Sequence, residues 1–220
     1  MSKVIDIKTA VELVKDGDTI MVGGFMVNGS PCRILDALAA SGKKDLTLIC
    51  NDSGVADKGV GKLVVNKQFK KIIASHVGLN KETGRQMGAG ETEVVLVPQG
   101  TLVEQIRAAG YGLGGVLTRT GLGTLVEEGK QKIEVDGKTF LLEKPLFADV
   151  ALIYAHEIDR AGNMAYKGSE QNFNHVMASA AKITIAEAGT LLDIGKLDPN
   201  RVNTPGVFVD YIVEGGGTNG

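Results

Sequence analysis

Asp16-Gly17-Asp18-Thr19-Ile20-Met21-Val22-Gly23-Gly24-Phe25-Met26-Val27-Asn28-Gly29-Ser30-Pro31 is the stretch whose reading decides the fold. Asp-Gly-Asp turns the chain into a short apolar strand over 19–22, and two glycines end it. Ser30-Pro31 then reads as an N-cap with proline at the first helical position, and Ile34, Leu35 and Leu38 carry a helix to its stop at Gly42. The order is strand, glycine loop, helix. Upstream, Ala10, Leu13 and Val14 on one face predict a short helix over 9–15.

Downstream the same alternation recurs. Unbroken apolar strands are predicted over 46–50, ending in Asn51-Asp52-Ser53-Gly54, over 71–75, and over 93–97, ending in Pro98-Gln99-Gly100. Thr101 and Glu104 read as a capping box before Leu102, Ile106 and Ala109, with Gly110 as the stop. Further strands are expected over 149–155, 182–187 and 207–213. Asp136-Gly137 between two strand-like runs in 132–142 signals a hairpin. Strands buried on both faces and separated by helices make an α/β fold: an open, mainly parallel sheet with helices on both faces, plus a small antiparallel hairpin excursion. The site is expected at the carboxyl ends of the strands. No internal repeat or linker is visible, so residues 1–214 read as one domain, followed by a glycine-rich tail over 215–220.

Composition narrows the function. The chain has 220 residues, 24 Lys+Arg against 26 Asp+Glu, a formal charge of −2, no Trp and 5% aromatics. Neither a basic field nor an aromatic platform exists for nucleic acid, and no run approaches the roughly 20 apolar residues that cross a bilayer. Cys32 and Cys50 lie in apolar segments and make no disulfide framework, so a reducing, cytoplasmic location is expected. His76, His156 and His175 are far apart and outside any zinc spacing, so no metal is expected. Glycine, 30 residues of 220, is the unusual component.

The loop 23–29 supports two readings. Residues without side chains let peptide N–H groups close on an anion beside a helix start; equally, the loop is a tight connection. Phe25 packs on a ligand or fills core, and Asn28 shapes specificity or supports the turn. Gly110-Tyr111-Gly112-Leu113-Gly114-Gly115 matches a dinucleotide fingerprint but follows a helix instead of a strand, which disqualifies it. His76 at a strand end, and Arg107 and Arg160, read as structural.

Residues 16–31 resemble the signature of family I CoA-transferases: an acidic residue and Gly, two free positions, three apolar residues, Gly-Gly-Phe, three free positions and Gly-x-Pro. The resemblance continues through Asn51-Asp52-Ser53-Gly54, Pro98-Gln99-Gly100-Thr101-Leu102, Arg107-Ala108-Ala109-Gly110, Thr120-Gly121-Leu122-Gly123-Thr124, Gly162-Asn163, Asn172-Phe173-Asn174 and Thr204-Pro205-Gly206, to about Glu214. It implies the alpha subunit of a heteromer acting on acetate, butyrate or acetoacetate. Coenzyme A and acyl-CoA would be substrates, with no permanently bound cofactor. It also implies a beta subunit in a heterotetramer or larger, with the nucleophilic glutamate in a Ser-Glu-Asn-Gly motif that this chain lacks. Ser169-Glu170-Gln171-Asn172 is only an echo of that motif. By the same resemblance Gly23, Gly24, Phe25, Met26, Val27, Asn28 and Gly29 bind CoA, while Gln99 and Asn51 line the reaction centre, Gln99 as an oxyanion donor. The alternatives are an alpha subunit of the succinyl-CoA:3-oxoacid type and an isomerase-like anion-binding module, which needs a carboxylate base in this chain.

Overall fold

The computed structural model describes residues 2–215. In chain order it contains β1 (Val4–Ile5), α1 (Ile7–Glu12), β2 (Thr19–Val22), α2 (Cys32–Ala40), β3 (Leu46–Asp52), α3 (Val60–Val65), β4 (Phe69–His76), α4 (Lys81–Gly88), β5 (Glu93–Leu96), α5 (Gln99–Gly110), β6 (Val116–Thr118), β7 (Lys132–Val135), β8 (Lys138–Glu143), β9 (Ala148–Asp159), β10 (Met164–Ala165), α6 (Asn174–Met177), β11 (Ala181–Leu192) and β12 (Tyr211–Glu214). Eight parallel strands run in the order β1-β12-β11-β9-β2-β3-β4-β5, and β10 adds antiparallel to β9. From β2 the chain moves outward through β3, β4 and β5, whereas β9, β11 and β12 fill the other side. Strand order therefore reverses between β2 and β9, which opens a crevice at their carboxyl ends.

Side-chain alternation divides the core into two layers. Ile20, Val22, Leu48, Cys50 and Leu152 face Ile34, Leu35 and Leu63 of α2 and α3. Met21, Ile49, Ala151 and Ile153 face Leu102 and Ile106 of α5 and Val176 and Met177 of α6. Helices thus cover both faces, as the unbroken apolar strands require. Asp136 and Gly137, at φ +49° and +70°, make the hairpin turn between β7 and β8, and β6 completes a separate three-stranded antiparallel sheet. Buried Glu143 ties that sheet to α5, accepting from Gln105 Nε2 at 3.1 Å and pairing with Lys130 Nζ at 2.6 Å.

Several boundaries differ from expectation for identifiable reasons. Asp6 accepts the Thr9 N–H at 2.7 Å and starts α1 two residues before the predicted position. Pro31 is the N-cap of α2, not its first residue, because the Ser30 hydroxyl donates to the Gly23 carbonyl at 3.1 Å instead of capping. Pro98 starts α5 at Gln99, so Thr101 and Glu104 fall inside the helix and form no capping box: Thr101 Oγ1 is buried without a partner and Glu104 pairs with Arg107. Lys3 Nζ takes the carbonyls of Gly206 and Val209, each at 2.6 Å, so the chain at 206–208 makes a 3₁₀ turn and β12 begins at Tyr211, not residue 207. Of the predicted tail, Gly215 donates to the Ala188 carbonyl at 2.8 Å, and residues 216–220 lie outside the described part.

Candidate active site

Two loops leave the carboxyl edge side by side, after β2 and after β3. In the first, Phe25 and Asn28 exchange both backbone hydrogen bonds, at 3.0 and 2.9 Å, around Met26 and Val27 at φ +48° and +78°. Such a turn ordinarily uses Asn or Gly. Here Asp52 holds it, accepting the N–H of Met26 on Oδ2 at 3.0 Å and of Gly54 on Oδ1 at 2.7 Å. The second loop makes a similar bridge with one backbone bond, from the Lys58 N–H to the Val55 carbonyl at 3.3 Å, between Gly54 and Gly59, both at positive φ. No period in the sequence announces this repetition.

The glycines of the first loop are required by the protein's own packing. A Cβ would collide with Asn174 Oδ1 at Gly23, with Ser30 Oγ at Gly24 and with the Glu170 carbonyl at Gly29. The N–H groups of Gly24, Val27 and Gly29 have no acceptor among the described residues, although Gly24 and Gly29 are buried and Val27 is half-buried. Phe25 and Met26 stand exposed beside them, so Phe25 is not core filling. Asn28 Nδ2 donates to Ser169 Oγ at 2.8 Å, which commits that side chain to anchoring the turn.

The positive end of α2, a candidate anion site by its place after the loop, is already occupied. Glu187 of β11 accepts the Ile34 N–H on Oε2 at 2.9 Å from a position 1% exposed. Burial pushes its carboxyl up to about 7, against the bonds from Ile34 and Arg33 that lower it. The folded value lies above the unfolded one, so the protein is least penalised below the unfolded value and loses stability as pH rises through about 7. Glu187→Gln is therefore expected to unfold at a higher temperature than the parent at pH 8, by an amount equivalent to as much as about 3 kcal/mol. The gap should close by pH 4; an equal gap at both pH values in thermal melts contradicts the assignment.

Opposite α2, the strand ends assemble a chain of amides. Asn51, 4% exposed, lies within the last residues of β3, not beyond it, and faces the α5 side with Ile49. Gln99, the exposed first residue of α5, donates through Nε2 to Asn51 Oδ1 at 3.0 Å, and Asn51 donates through Nδ2 to Asn172 Oδ1 at 3.2 Å. The orientations follow from one unambiguous donor. The peptide N–H of Phe173 lies 2.7 Å from Asn172 Oδ1 and so requires oxygen there. Oxygen at Asn172 requires nitrogen at Asn51, and Asn51 then presents oxygen to Gln99. Ser75, alongside on β4, has one hydroxyl proton for Asn51 Oδ1 at 3.0 Å or the Asn51 carbonyl at 2.8 Å. Each amide spends one N–H on orientation. Asn51 and Gln99 each retain a second N–H without a partner among the described residues, a pair of neutral donors suited to developing negative charge on oxygen.

The structure thus brings Asn51 and Gln99 into contact, puts the 23–29 loop on the adjacent strand end, and adds Ser75, Asp52 and Asn172. The remaining groups have other uses. Asp52 is buried with both oxygens occupied, and Glu170 accepts the Lys167 N–H at 3.0 Å and faces His156 at 3.6 Å, so both carboxylates beside the loop are engaged within the protein. Arg107 pairs with Glu104 and Arg160 with Asp193, each at 3.1 Å. Burial pushes the Cys32 thiol up to about 11 and also pushes the Cys50 thiol up, which leaves both unreactive. A cleft of about 530 Å³ lies on the α2 side of the loop, but Lys58 and Lys62 at its wall are balanced by Asp36 and Glu170. Among the described residues no cluster suits a metal ion and no helix is long and apolar enough to cross a membrane.

The coenzyme A transferase family model matches residues 4–215. The alpha subunit of the acetate CoA-transferase of Escherichia coli K12 is 54% identical over 212 residues, 96% of either chain. The alpha subunit of the acetoacetyl-CoA:acetate/butyrate CoA transferase of Clostridium acetobutylicum is 52% identical, covering 97% of this chain and 98% of its own. The corresponding subunit of the succinyl-CoA:3-ketoacid coenzyme A transferase of Helicobacter pylori J99 is 46% identical, covering 98% and 93%. Among solved structures, the acyl-CoA transferase YdiF of E. coli O157:H7, in its thioester complex with CoA, superposes with a TM-score of 0.87 at 23% identity. The match covers 97% of this chain but 47% of that one, and shows the shared fold. Matched end to end by the alpha subunits and only to half of a longer transferase, this chain belongs to the coenzyme A transferase family, as one of its alpha-type subunits.

Proposed function

We propose that this chain is the alpha subunit of a cytoplasmic transferase that moves CoA between short-chain carboxylic acids of the acetate, butyrate and acetoacetate class. A beta subunit supplies the attacking glutamate in an assembly of two alpha and two beta chains or larger. The observation that carries the reading is the pair of uncommitted N–H groups on Asn51 and Gln99, at a sheet edge where both neighbouring carboxylates, Asp52 and Glu170, are engaged elsewhere.

The chemistry follows from that division. Attack of the partner's carboxylate on an acyl-CoA thioester drives the carbonyl oxygen toward an oxyanion, which the two N–H groups hold without reorganising. Collapse expels the CoA thiolate and leaves an acyl-glutamyl anhydride. The thiolate then attacks the glutamyl carbonyl, releasing the first acid and forming a glutamyl-CoA thioester, and the second acid reverses the sequence. The 23–29 loop contacts CoA through exposed Phe25 and Met26 and the unbonded N–H of half-buried Val27.

The relatives matched at 54% and 52% identity are named for acetate and for acetoacetyl-CoA:acetate/butyrate transfer, above the 46% of the succinyl-CoA:3-ketoacid subunit, which favours monocarboxylates over the succinyl-CoA type. With the alpha and beta subunits purified together, acetate or butyrate is expected to accept CoA from acetoacetyl-CoA with kcat/KM at least roughly 10-fold above that of succinate. The opposite order selects the succinyl-CoA type.

A further inference from the structure

We propose that Asn172 is a positioning residue for this site: its side-chain oxygen, locked by the Phe173 N–H, turns the Asn51 amide so that one N–H of Asn51 is left for the reacting oxygen. The inference rests on the role proposed above for the Asn51 and Gln99 pair.

The first observation is strain. Asn172 has φ +36° and ψ −127°, a backbone state that costs a residue with a side chain about 1–3 kcal/mol. Glycine takes such a state freely, and this chain uses glycine at positive φ only four residues earlier, at Gly168. An asparagine here trades stability for its side chain. The second observation is what that side chain does. Its Oδ1 receives two donors, the Phe173 N–H at 2.7 Å and Asn51 Nδ2 at 3.2 Å. Without that acceptor, Asn51 is held only through its Oδ1, by Gln99 and by the single proton of Ser75, and the direction of its amide nitrogen is no longer specified.

The third observation is the anchoring of the segment itself. Asn174 Nδ2 donates to the carbonyls of Gly29 and Glu170, each at 2.8 Å, and its Oδ1 accepts the Tyr154 N–H at 3.1 Å. Ser169 holds Asn28. Residues 169–174 therefore link the glycine loop after β2 to the amide chain at the neighbouring end of β3. The position of Asn172 is imposed from both ends, which is how a strained residue persists.

The test uses the complex of alpha and beta subunits and four variants of this chain: Asn172→Gly, Asn51→Ala, the two combined, and Asn172→Asp. Asn172→Gly removes the acceptor and relieves the backbone, so its melting temperature is expected to equal or exceed the parent's while kcat falls roughly 10-fold with KM within twofold. In the Asn51→Ala background the same change is expected to cost nothing further, since the two residues act through one N–H. Asn172→Asp, which keeps an oxygen acceptor at that place, should retain more turnover than Asn172→Gly. Unchanged kcat in Asn172→Gly, losses that add to those of Asn51→Ala, or Asn172→Asp falling below Asn172→Gly overturns the proposal while leaving the amide pair in place. Full turnover in Asn51→Ala removes the amide pair itself, and this proposal with it.

Discussion

Purified alone, this chain is expected to show no CoA transfer above background, and the addition of a beta subunit bearing the reactive glutamate is expected to restore it. The reason lies in the disposition of its own acids. Asp52 is buried and holds two turns together, Glu170 is bound by the Lys167 N–H and faces His156, and Glu187 is buried against the start of α2. None of these three is free at the mouth of the crevice. A transferase centre without its nucleophile retains only the residual catalysis of its hydrogen-bond donors, so the loss should be of several orders of magnitude, comparable to the ~10⁶ of a nucleophile deletion. Transfer assays on the separate and recombined subunits check this. Turnover by this chain on its own within tenfold of the complex contradicts it.

In the complex, Gln99→Ala is expected to lower kcat by roughly 10² while the protein stays folded, the usual result of removing one oxyanion donor. Two losses coincide in that substitution: the free N–H of Gln99, and the bond by which Gln99 orients Asn51. Gln99 is exposed at the first position of α5, so its truncation should change stability by no more than about 0.5 kcal/mol. Gln99→Glu is the sharper variant, since it preserves shape but sets an acceptor and a negative charge where charge must develop. It should be at least as slow as the alanine variant. Steady-state kinetics with an acyl-CoA donor decide the matter, and wild-type turnover in either variant removes Gln99 from the reaction centre.

The strands are the most legible part of this protein because burial on both faces leaves unbroken runs, as in Leu46-Thr47-Leu48-Ile49-Cys50. Their ends are less so. β9 continues to Asp159 and β11 to Leu192 because each is the other's ladder partner along nearly its whole length, a long-range fact with no local signal. The short helices α3 and α6, six and four residues long, are too brief to display a helical period. Helix starts depart from the sequence pattern where the neighbouring residues set them: Ser30 serves Gly23 instead of capping α2, and Pro98 starts α5 at Gln99, ahead of Thr101.

The site divides in the same way. Gln99 and Asn51 are identifiable from resemblance, but their contact is not, since they are 48 residues apart and meet only where β3 and α5 reach one sheet edge. Ser75 carries no signal of its own, and Asn172 is marked only as part of the matched segment Asn172-Phe173-Asn174, with no role attached to it. The four-residue echo at 169–172 stands out for its glutamate, whereas the residue that reaches the site is the asparagine at its end. Asparagine's tolerance of left-handed backbone is the one clue the sequence holds. The glycines point the other way: their spacing suggests room for a ligand, while the structure fills that room with Asn174, Ser30 and Glu170.

In the proposed division of labour, the donors belong to this chain and the attacking carboxylate to another. Incubating the complex with acyl-CoA alone, reducing the accumulated thioester with borohydride and mapping both subunits by mass spectrometry tests that division directly. The expected result is one glutamate converted to its alcohol in the partner, with every acid of this chain, Glu170 included, unmodified. A reduced carboxylate within residues 1–220 of this chain contradicts the division.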